Sequence, residues 1–198
     1  MEVTRPAETQ TTFPFHHGRL ALSFAGTVGD RGSARTERLP TSVQLGVWLR
    51  QAALTTKRLE PSAASYRRAL RLREAIARVA AATTTGKRAA GSDIAVINDV
   101  ARRWAPRPYL DPKTLSLTSG DRDPVDAAIG RIALDAIALF SDPEERARLR
   151  TCGLDSCGAI FLTPAGHRER RWCSMARCGN RAKVTAFRKR AHSAGSAS

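Results

Sequence analysis

The four cysteines of this chain constrain its fold more than any other feature. They are Cys152, Cys157, Cys173 and Cys178, all within the last quarter of the 198 residues, spaced as Cys-x4-Cys, fifteen residues, Cys-x4-Cys. Clustered cysteines in a reducing compartment are more often metal ligands than disulfides. Two pairs on separate turns supply four tetrahedral thiolates, so the spacing predicts one structural zinc ion bound by all four. Unpaired core thiols, or a redox or iron site, are the alternatives.

The residues between and after these pairs predict a small module around the metal. Residues 158–162 are β-prone, 163–166 are turn-like, and 168–172 can return as a second strand. A helix is predicted from Asn180 to Ala191, beginning beside the second pair. A tight turn at the first cysteine pair (a zinc knuckle), a hairpin and a helix together suggest a treble-clef-like four-cysteine zinc finger over residues 150–191. A module of this size needs the metal for much of its stability.

Residues 13–149 are predicted to form a mainly α domain with a small antiparallel β-sheet, an α+β fold. Apolar residues at helical spacing follow four start signals, at Thr41, Pro61, Ser92 and Asp123. Alternating apolar residues predict a strand over 18–28, and two short strands are expected at 109–110 and 115–117. Asp142 starts a short helix running into Cys152. The ends, 1–12 and 192–198, are polar and expected to be disordered.

The charge of the chain is +15, from 33 basic and 18 acidic residues, and it favours polyanionic partners. Because 28 of the basic residues are arginine and alanine is abundant, a GC-rich genome is a second explanation for the total. The position of the charge therefore carries more information. Residues 150–198 hold ten basic and two acidic residues, and no acid occurs from Asn180 onward.

The predicted last helix has a basic surface. On a helical wheel, Asn180, Val184, Phe187 and Ala191 share one side, which we assign to packing. The basic residues predicted to contact nucleic acid are Lys183, Arg188, Lys189, Arg190, Arg181 and Arg171. An alternative for Arg171, Arg177 and Arg181 is that they offset the negative charge of a zinc–thiolate centre.

The sequence gives little support for a membrane protein, a secreted protein or an enzyme. There is no apolar run long enough to span a membrane, and the N-terminus lacks a secretory signal, so a cytoplasmic protein is expected. His16 and His17 are interpreted as surface histidines, and Asp30 and Arg31 as a salt bridge within a loop. Nothing assembles a nucleophile, a base and an oxyanion site, so we do not expect an enzyme.

The stretch W-C-S-M-x-x-C-G-N-R-x-K, at residues 172–183, resembles the signature of the CGNR zinc-finger family. In that family the finger follows an N-terminal ABATE domain, and the start of that domain resembles residues 18–31 here. The family usually has L-D-F-V-N-T where this chain has Ser23 and Gly26 at the Asp and Asn positions. The resemblance implies that the four cysteines bind zinc. It also implies a stress-induced transcription regulator, a function that is itself predicted for the family.

The expected function is therefore nucleic-acid binding, as a bacterial regulator of transcription that contacts double-stranded DNA. Two alternatives stay open. One is an RNA- or ribosome-associated binder. In the other, the finger is a structural cap and the helical domain is a module for a small molecule or a protein. The sequence also leaves open a homodimer, an unknown effector of the N-terminal domain and the target site.

Overall fold

A computed structural model describes residues 13–106, 109–118, 123–166 and 170–195, with side chains to residue 188 apart from 117 and 118. The predictions for residues 1–12, 168–169 and 196–198 lie outside these ranges, whereas residues 192–195, assigned to the disordered tail, continue the last helix. The helices are α1 Leu20–Ala25, α2 Ser42–Gln51, α3 Ala63–Thr84, α4 Gly91–Trp104, α5 Pro124–Ser141, α6 Pro143–Ala147 and α7 Asn180–Gly195, with a π-helical turn at Met175–Gly179. The strands are β1 Val28–Gly29, β2 Thr36–Glu37, β3 Tyr109–Leu110, β4 Leu117–Thr118, β5 Leu149–Thr151 and β6 Ile160–Leu162.

The fold is mainly helical with small antiparallel sheets, which confirms the predicted fold class. The strands of the described residues pair as β1–β2, β3–β4 and β5–β6. Helices α3, α4 and α5 pack on one another and on α1 and α2. In α5, apolar residues at helical spacing after Asp123 are buried, among them Ile129, Ile132 and Ala136. Trp48 of α2 is fully buried beside Phe24 of α1, with ring centroids 4.9 Å apart.

The helix starts follow the sequence signals to within two residues. Asp123 is the N-cap of α5, accepting from the backbone N–H groups of Val125 and Asp126, and Pro124 follows as predicted. At α3 the cap is Ser62, one residue after Pro61, and its hydroxyl accepts from the Ser65 N–H. Thr41 occupies the N-cap of α2, but its hydroxyl donates to the side chain of Gln44 and does not cap the backbone.

Helix α4 differs from its prediction at its first turn. It begins at Gly91 with Ala90 as the N-cap, so Ser92 is not the cap. The Asp93 carboxylate instead accepts from the Arg78 guanidinium of α3, at 2.6 Å to Nη2. Ile94, an apolar residue of the first turns, is 44% exposed, whereas Ile97, Val100 and Ala101 are buried in the core.

The predicted strand over 18–28 is wrong for most of its length. Residues 20–25 form α1, and β1 is confined to Val28–Gly29. The alternation of Leu20, Leu22 and Phe24 was misleading because α1 is buried on nearly all sides, including at Ser23. When a short element is buried on all sides, the spacing of its apolar residues cannot distinguish a helix from a strand.

A second apolar cluster joins the helical domain to the strands beside the cysteines. It consists of Leu22, Ala80, Leu139, Leu149 and Leu162. The predicted helix from Asp142 ends at Ala147, and β5 then leads to the first cysteine. The helical domain therefore packs directly against the base of the cysteine module.

Candidate zinc centre and basic helix

The first cysteine pair lies at the turn of a β-hairpin. Cys152 follows β5 and Cys157 precedes β6, with the Cys152 N–H donating to the Ala159 carbonyl at 2.8 Å. The strand that pairs with β6 is therefore β5, and the prediction that residues 168–172 pair with it is wrong for the described residues 170–172. The local sequence did not show this pairing because the partner strand lies before the cysteines.

The second pair surrounds the start of α7. Cys173 precedes the π-helical turn and Cys178 lies within it, immediately before α7. Ser174 caps this turn: its carbonyl accepts from the Cys178 N–H at 2.9 Å and its hydroxyl from the Arg177 N–H at 3.3 Å. The last helix thus begins beside the cysteine cluster, as predicted.

The four thiols form one buried cluster with the dimensions of a tetrahedral zinc site. Their sulfur atoms all lie within 4.8 Å of one another. The Sγ atom of Cys173 is 3.7 Å from that of Cys157 and 3.6 Å from that of Cys178. A zinc–sulfur bond of about 2.3 Å in a tetrahedron requires sulfur atoms about 3.8 Å apart. The donor set therefore fits one structural zinc ion.

The thiols of this cluster have shifted pKa values. A hydrogen bond from the Cys173 thiol lowers the pKa of Cys157 to about 5. Burial raises the pKa of Cys178 to about 12. Four thiolates so close together repel one another, so they ionise together only with a cation among them, and zinc binding releases protons.

The four residues of the C-G-N-R motif have separate structural roles. Cys178 supplies a thiol, and a Cβ atom at Gly179 would lie 2.8 Å from the Met175 sulfur. The Asn180 side-chain amide donates to the Ala176 carbonyl at 3.1 Å, which holds the turn to α7. Arg181 forms an ion pair with Asp30 of the helical domain, with Nη1 2.9 Å from Oδ1. The motif thus joins the metal site, the last helix and the other domain.

Several arginines lie around the thiol cluster. Arg177 and Arg181 line the same small cavity as Cys157, Cys173 and Cys178, together with Arg38 from the helical domain. These cations are placed to offset the formal charge of −2 on a zinc–tetrathiolate centre. Arg171 does not line this cavity: its guanidinium carbon is 5.2 Å from the centroid of the Trp172 ring, and its backbone carbonyl accepts from the Gly153 N–H, next to Cys152, at 2.8 Å.

Arg170 is a residue whose role sequence reasoning missed. Its guanidinium donates to the Cys173 carbonyl at 2.5 Å and to the His16 carbonyl at 3.1 Å, and lies 4.7 Å above the Phe161 ring. It therefore binds the second cysteine turn to the N-terminal segment and to the core of the finger. Nothing local in the sequence distinguishes it from the neighbouring arginines.

His16 and His17 are not the surface pair that the sequence suggested. Their rings stack with centroids 4.6 Å apart, and His17 is buried while its carbonyl accepts from the Leu162 N–H of β6 at 2.9 Å. Burial, then the charges of His16 and nearby arginines, lowers the pKa of His17 to about 3. His17 is therefore a neutral packing residue between the helical domain and the finger.

The loop between β1 and β2 rests on the first cysteine turn. The Arg31 N–H donates to the Cys157 carbonyl at 3.0 Å, and the Ser33 hydroxyl donates to the Ser156 carbonyl at 3.2 Å. Asp30 and Arg31 do not pair with each other: Asp30 pairs with Arg181, and Arg31 with Glu74 at 2.9 Å. The interpretation as a salt bridge within the loop was wrong, since both partners come from other elements.

We expect Gly32→Ala to weaken the contact between this loop and the finger. A Cβ atom at position 32 would lie 1.9 Å from the Asp155 carbonyl oxygen, so the backbone must move. We expect the free energy of unfolding to fall by about 1–3 kcal/mol, measured by chemical denaturation. Gly91→Ala is the control, because a Cβ atom there has no neighbour within 4 Å. Equal effects of the two substitutions would contradict the tight contact.

The surface of α7 is basic where side chains are described. Lys183 and Arg188 are exposed, and α7 continues directly from the π-helical turn before it. The side chains of Lys189 and Arg190 lie outside the described part of the chain, so only their place in the helix is given. Arg181 is half exposed in its ion pair with Asp30. Contact of these residues, and of Arg171, with nucleic acid stays a prediction.

The side of α7 assigned to packing is exposed instead. Val184 is 49% exposed and Phe187 is 67% exposed. The wheel places them between Lys183 on one edge and Arg181 and Arg188 on the other. The assignment was wrong because the helical domain contacts the start of α7 and the cysteine turns, and not this face.

Comparison with known families agrees with this architecture. Residues 18–143 match the ABATE family, described as "Putative stress-induced transcription regulator", and residues 148–191 match the CGNR zinc finger. The chain therefore belongs to the ABATE family and carries a C-terminal CGNR zinc finger with one structural zinc ion. No curated protein matches the chain. Within the described residues, none of the helices combines the length and apolarity needed to cross a bilayer.

Proposed function

We propose that this protein binds double-stranded DNA as a regulator of transcription, with α7 of its zinc finger as the contact element, and that it is not an enzyme. The observation that carries the proposal is the exposed, acid-free basic surface of a helix that starts at the metal site. Sixteen residues make a rod about 24 Å long, and with side chains about 10–12 Å wide. The major groove of DNA, about 12 Å wide, admits such a rod.

The exposed apolar residues of α7 support base contact as well as phosphate contact. Lys183 and Arg188 flank Val184 and Phe187, so phosphates on both sides of a groove are within the reach of basic side chains. Apolar side chains at the centre of such a helix contact the methyl groups of thymine. The family description supports a role in transcription, and adds stress as the setting.

The testing experiment is a binding titration with the zinc-loaded protein over a salt series. Fluorescence anisotropy would compare duplex DNA with a structured RNA of the same length. DNA binding through phosphates predicts that log K falls linearly with log salt concentration. Stronger binding to the RNA at every salt concentration would favour the RNA-associated alternative. Absence of binding to both would favour the finger as a structural cap.

We expect Phe187→Ala to lower affinity for a selected DNA site by about tenfold, because complete burial of a phenyl ring contributes about 1.5–3 kcal/mol and tenfold corresponds to about 1.4 kcal/mol. The salt dependence should not change, since no phosphate contact is removed. The unfolding midpoint should also be unchanged, because Phe187 is mostly exposed. Leu134→Ala is the control, because Leu134 is an exposed apolar residue of α5, at 45% against 67% for Phe187. If Phe187→Ala binds like the wild type, its ring does not contact bases.

A further inference from the structure

A large cleft lies between the helical domain and the finger, on the side of the molecule formed by α3 and α4. Its volume is about 1190 Å³, enough for a ligand of cofactor size. One wall comes from α3 and α4, another from α1 and the β1–β2 loop, and residues 158–160 of the finger close one end. Ligand sites are commonly found where domains meet.

Part of the lining of the cleft, which we call its floor, is apolar. It is formed by small and branched side chains of both domains, including Leu22, Val28, Leu70, Ala77, Val96 and Ile160. Such a surface suits the flat or branched hydrocarbon body of a ligand, since contact removes apolar area from water. It is less suited to a nucleic-acid backbone, which needs polar partners along its length.

The polar groups of the cleft include two carboxylates that are already bound to arginines. Arg73 is buried, with Nη1 and Nη2 each 2.7 Å from a Glu37 carboxylate oxygen. Glu74 accepts from Arg31 at 2.9 and 3.1 Å and from Arg73 at 3.0 Å. Burial would raise the pKa of Glu74, but the hydrogen bonds and charges of Arg31 and Arg73 hold it below its ordinary value. Both bound arginines are therefore neutralised by a rigid network.

Two further arginines in the cleft lack such partners. Arg35 is 61% exposed, and its one ion pair among the described residues is a 3.4 Å contact with Glu74, a carboxylate already shared with Arg31 and Arg73. Arg71 is exposed and makes no ion pair with any residue that the structure describes. In total the cleft is lined by five arginines and three carboxylates, an excess of two positive charges.

We propose that this cleft binds a small organic anion, with its apolar body on the aliphatic floor and its acidic group paired with Arg35 and Arg71. The acidic group is a carboxylate, sulfonate or phosphate, which guanidinium groups recognise by paired hydrogen bonds. The bound arginines Arg31 and Arg73 give the site a fixed wall. This site is separate from α7, and the proposal does not depend on DNA binding.

A pair of fluorescent probes that differ only in the acidic group tests the proposal. The probes are 8-anilinonaphthalene-1-sulfonate and N-phenyl-1-naphthylamine, titrated into folded, zinc-loaded protein. We expect the sulfonate to saturate one site per chain with about tenfold higher affinity than the neutral probe. Arg35→Ala and Arg71→Ala should each weaken the sulfonate by about three- to fivefold and leave the neutral probe unchanged. Ala77→Trp, which fills the floor, should weaken both.

The control is Arg67→Ala, which removes an exposed arginine one turn before Arg71 on α3, outside the cleft. It should bind both probes like the wild type. Equal affinities for the two probes, or equal losses in Arg67→Ala and Arg71→Ala, would overturn the proposal. It would also be overturned if Arg35→Ala and Arg71→Ala weakened duplex DNA binding and left the sulfonate unaffected, because the arginines would then belong to a nucleic-acid surface. If Ala77→Trp does not fold, the affinities of Arg35→Ala and Arg71→Ala for the two probes still test the proposal.

Discussion

Replacing Cys173 by serine is expected to remove zinc from the protein and to unfold its finger. The Cys173 sulfur is in contact distance of two other thiols, so its loss opens the tetrahedral donor set. A structural zinc ion in an isolated finger contributes about 10–16 kcal/mol of binding free energy at neutral pH, and this energy is folding energy. The apolar part of the finger core is small, centred on Phe161, and cannot replace that contribution.

Metal analysis of the reduced, natively purified protein is the first measurement, with one zinc ion per chain expected for the wild type and markedly less for Cys173→Ser. Hydrogen exchange then shows which elements lose their structure. Amides of α7 and the π-helical turn should lose protection, whereas those of α3 and α5 should keep it, because most of the buried side chains of α3 and α5 lie in the main core of the helical domain, and few, such as Ala80 and Leu139, join the cluster beside the finger. Asp155→Asn is the control, since it changes an exposed residue between the first two cysteines. Full zinc content in Cys173→Ser would rule out the four-thiolate site.

The same substitution tests how far the two domains depend on each other. His17, Arg31 and Asp30 of the helical domain all bond to the finger. Loss of these bonds should lower the unfolding midpoint of the helical domain without abolishing its transition. A single transition that disappears entirely would instead show that the helical domain cannot fold without the zinc centre.

The parts of this fold that the sequence predicted are those set by local physics. Asp123–Pro124 marks the start of α5 because both residues act on the first turn itself. The long apolar stripes of α3 and α5 predict helices because each buries a single face on the core. The cysteine spacing predicts the zinc site because disulfides are rare in a reducing compartment, and two cysteine pairs supply the four thiolates of a tetrahedral zinc site.

The parts that it did not predict depend on contacts between distant segments. The role of Arg170 depends on the position of His16, 154 residues earlier in the chain. Phe187 is exposed because the helical domain contacts the start of α7 and not the face that carries Phe187. The spacing of apolar residues in α7 cannot show how far that contact extends. In each case the deciding partner lies in another element, so the local pattern cannot show it.

Reversing two charges on α7, Lys183→Glu with Arg188→Glu, should reduce affinity for duplex DNA by about 100-fold at low salt. Each substitution removes a phosphate contact and adds repulsion. The slope of log K against log salt concentration should become shallower by about 1.8, since each lost phosphate contact removes about 0.9. Both side chains are exposed, so zinc content and unfolding midpoint should stay at the wild-type values.

The matched control is Lys87→Glu with Arg88→Glu, between α3 and α4. It exchanges the same residue types, both exposed, and changes the net charge by the same amount. If affinity for DNA depends only on the net charge of the protein, the two double variants will lose affinity equally. In that case α7 is not the contact element. If α7 is the contact element, the Lys87 and Arg88 variant should keep the wild-type salt slope. Unchanged binding in the α7 variant, with zinc retained, would instead make the finger a structural cap on the helical domain.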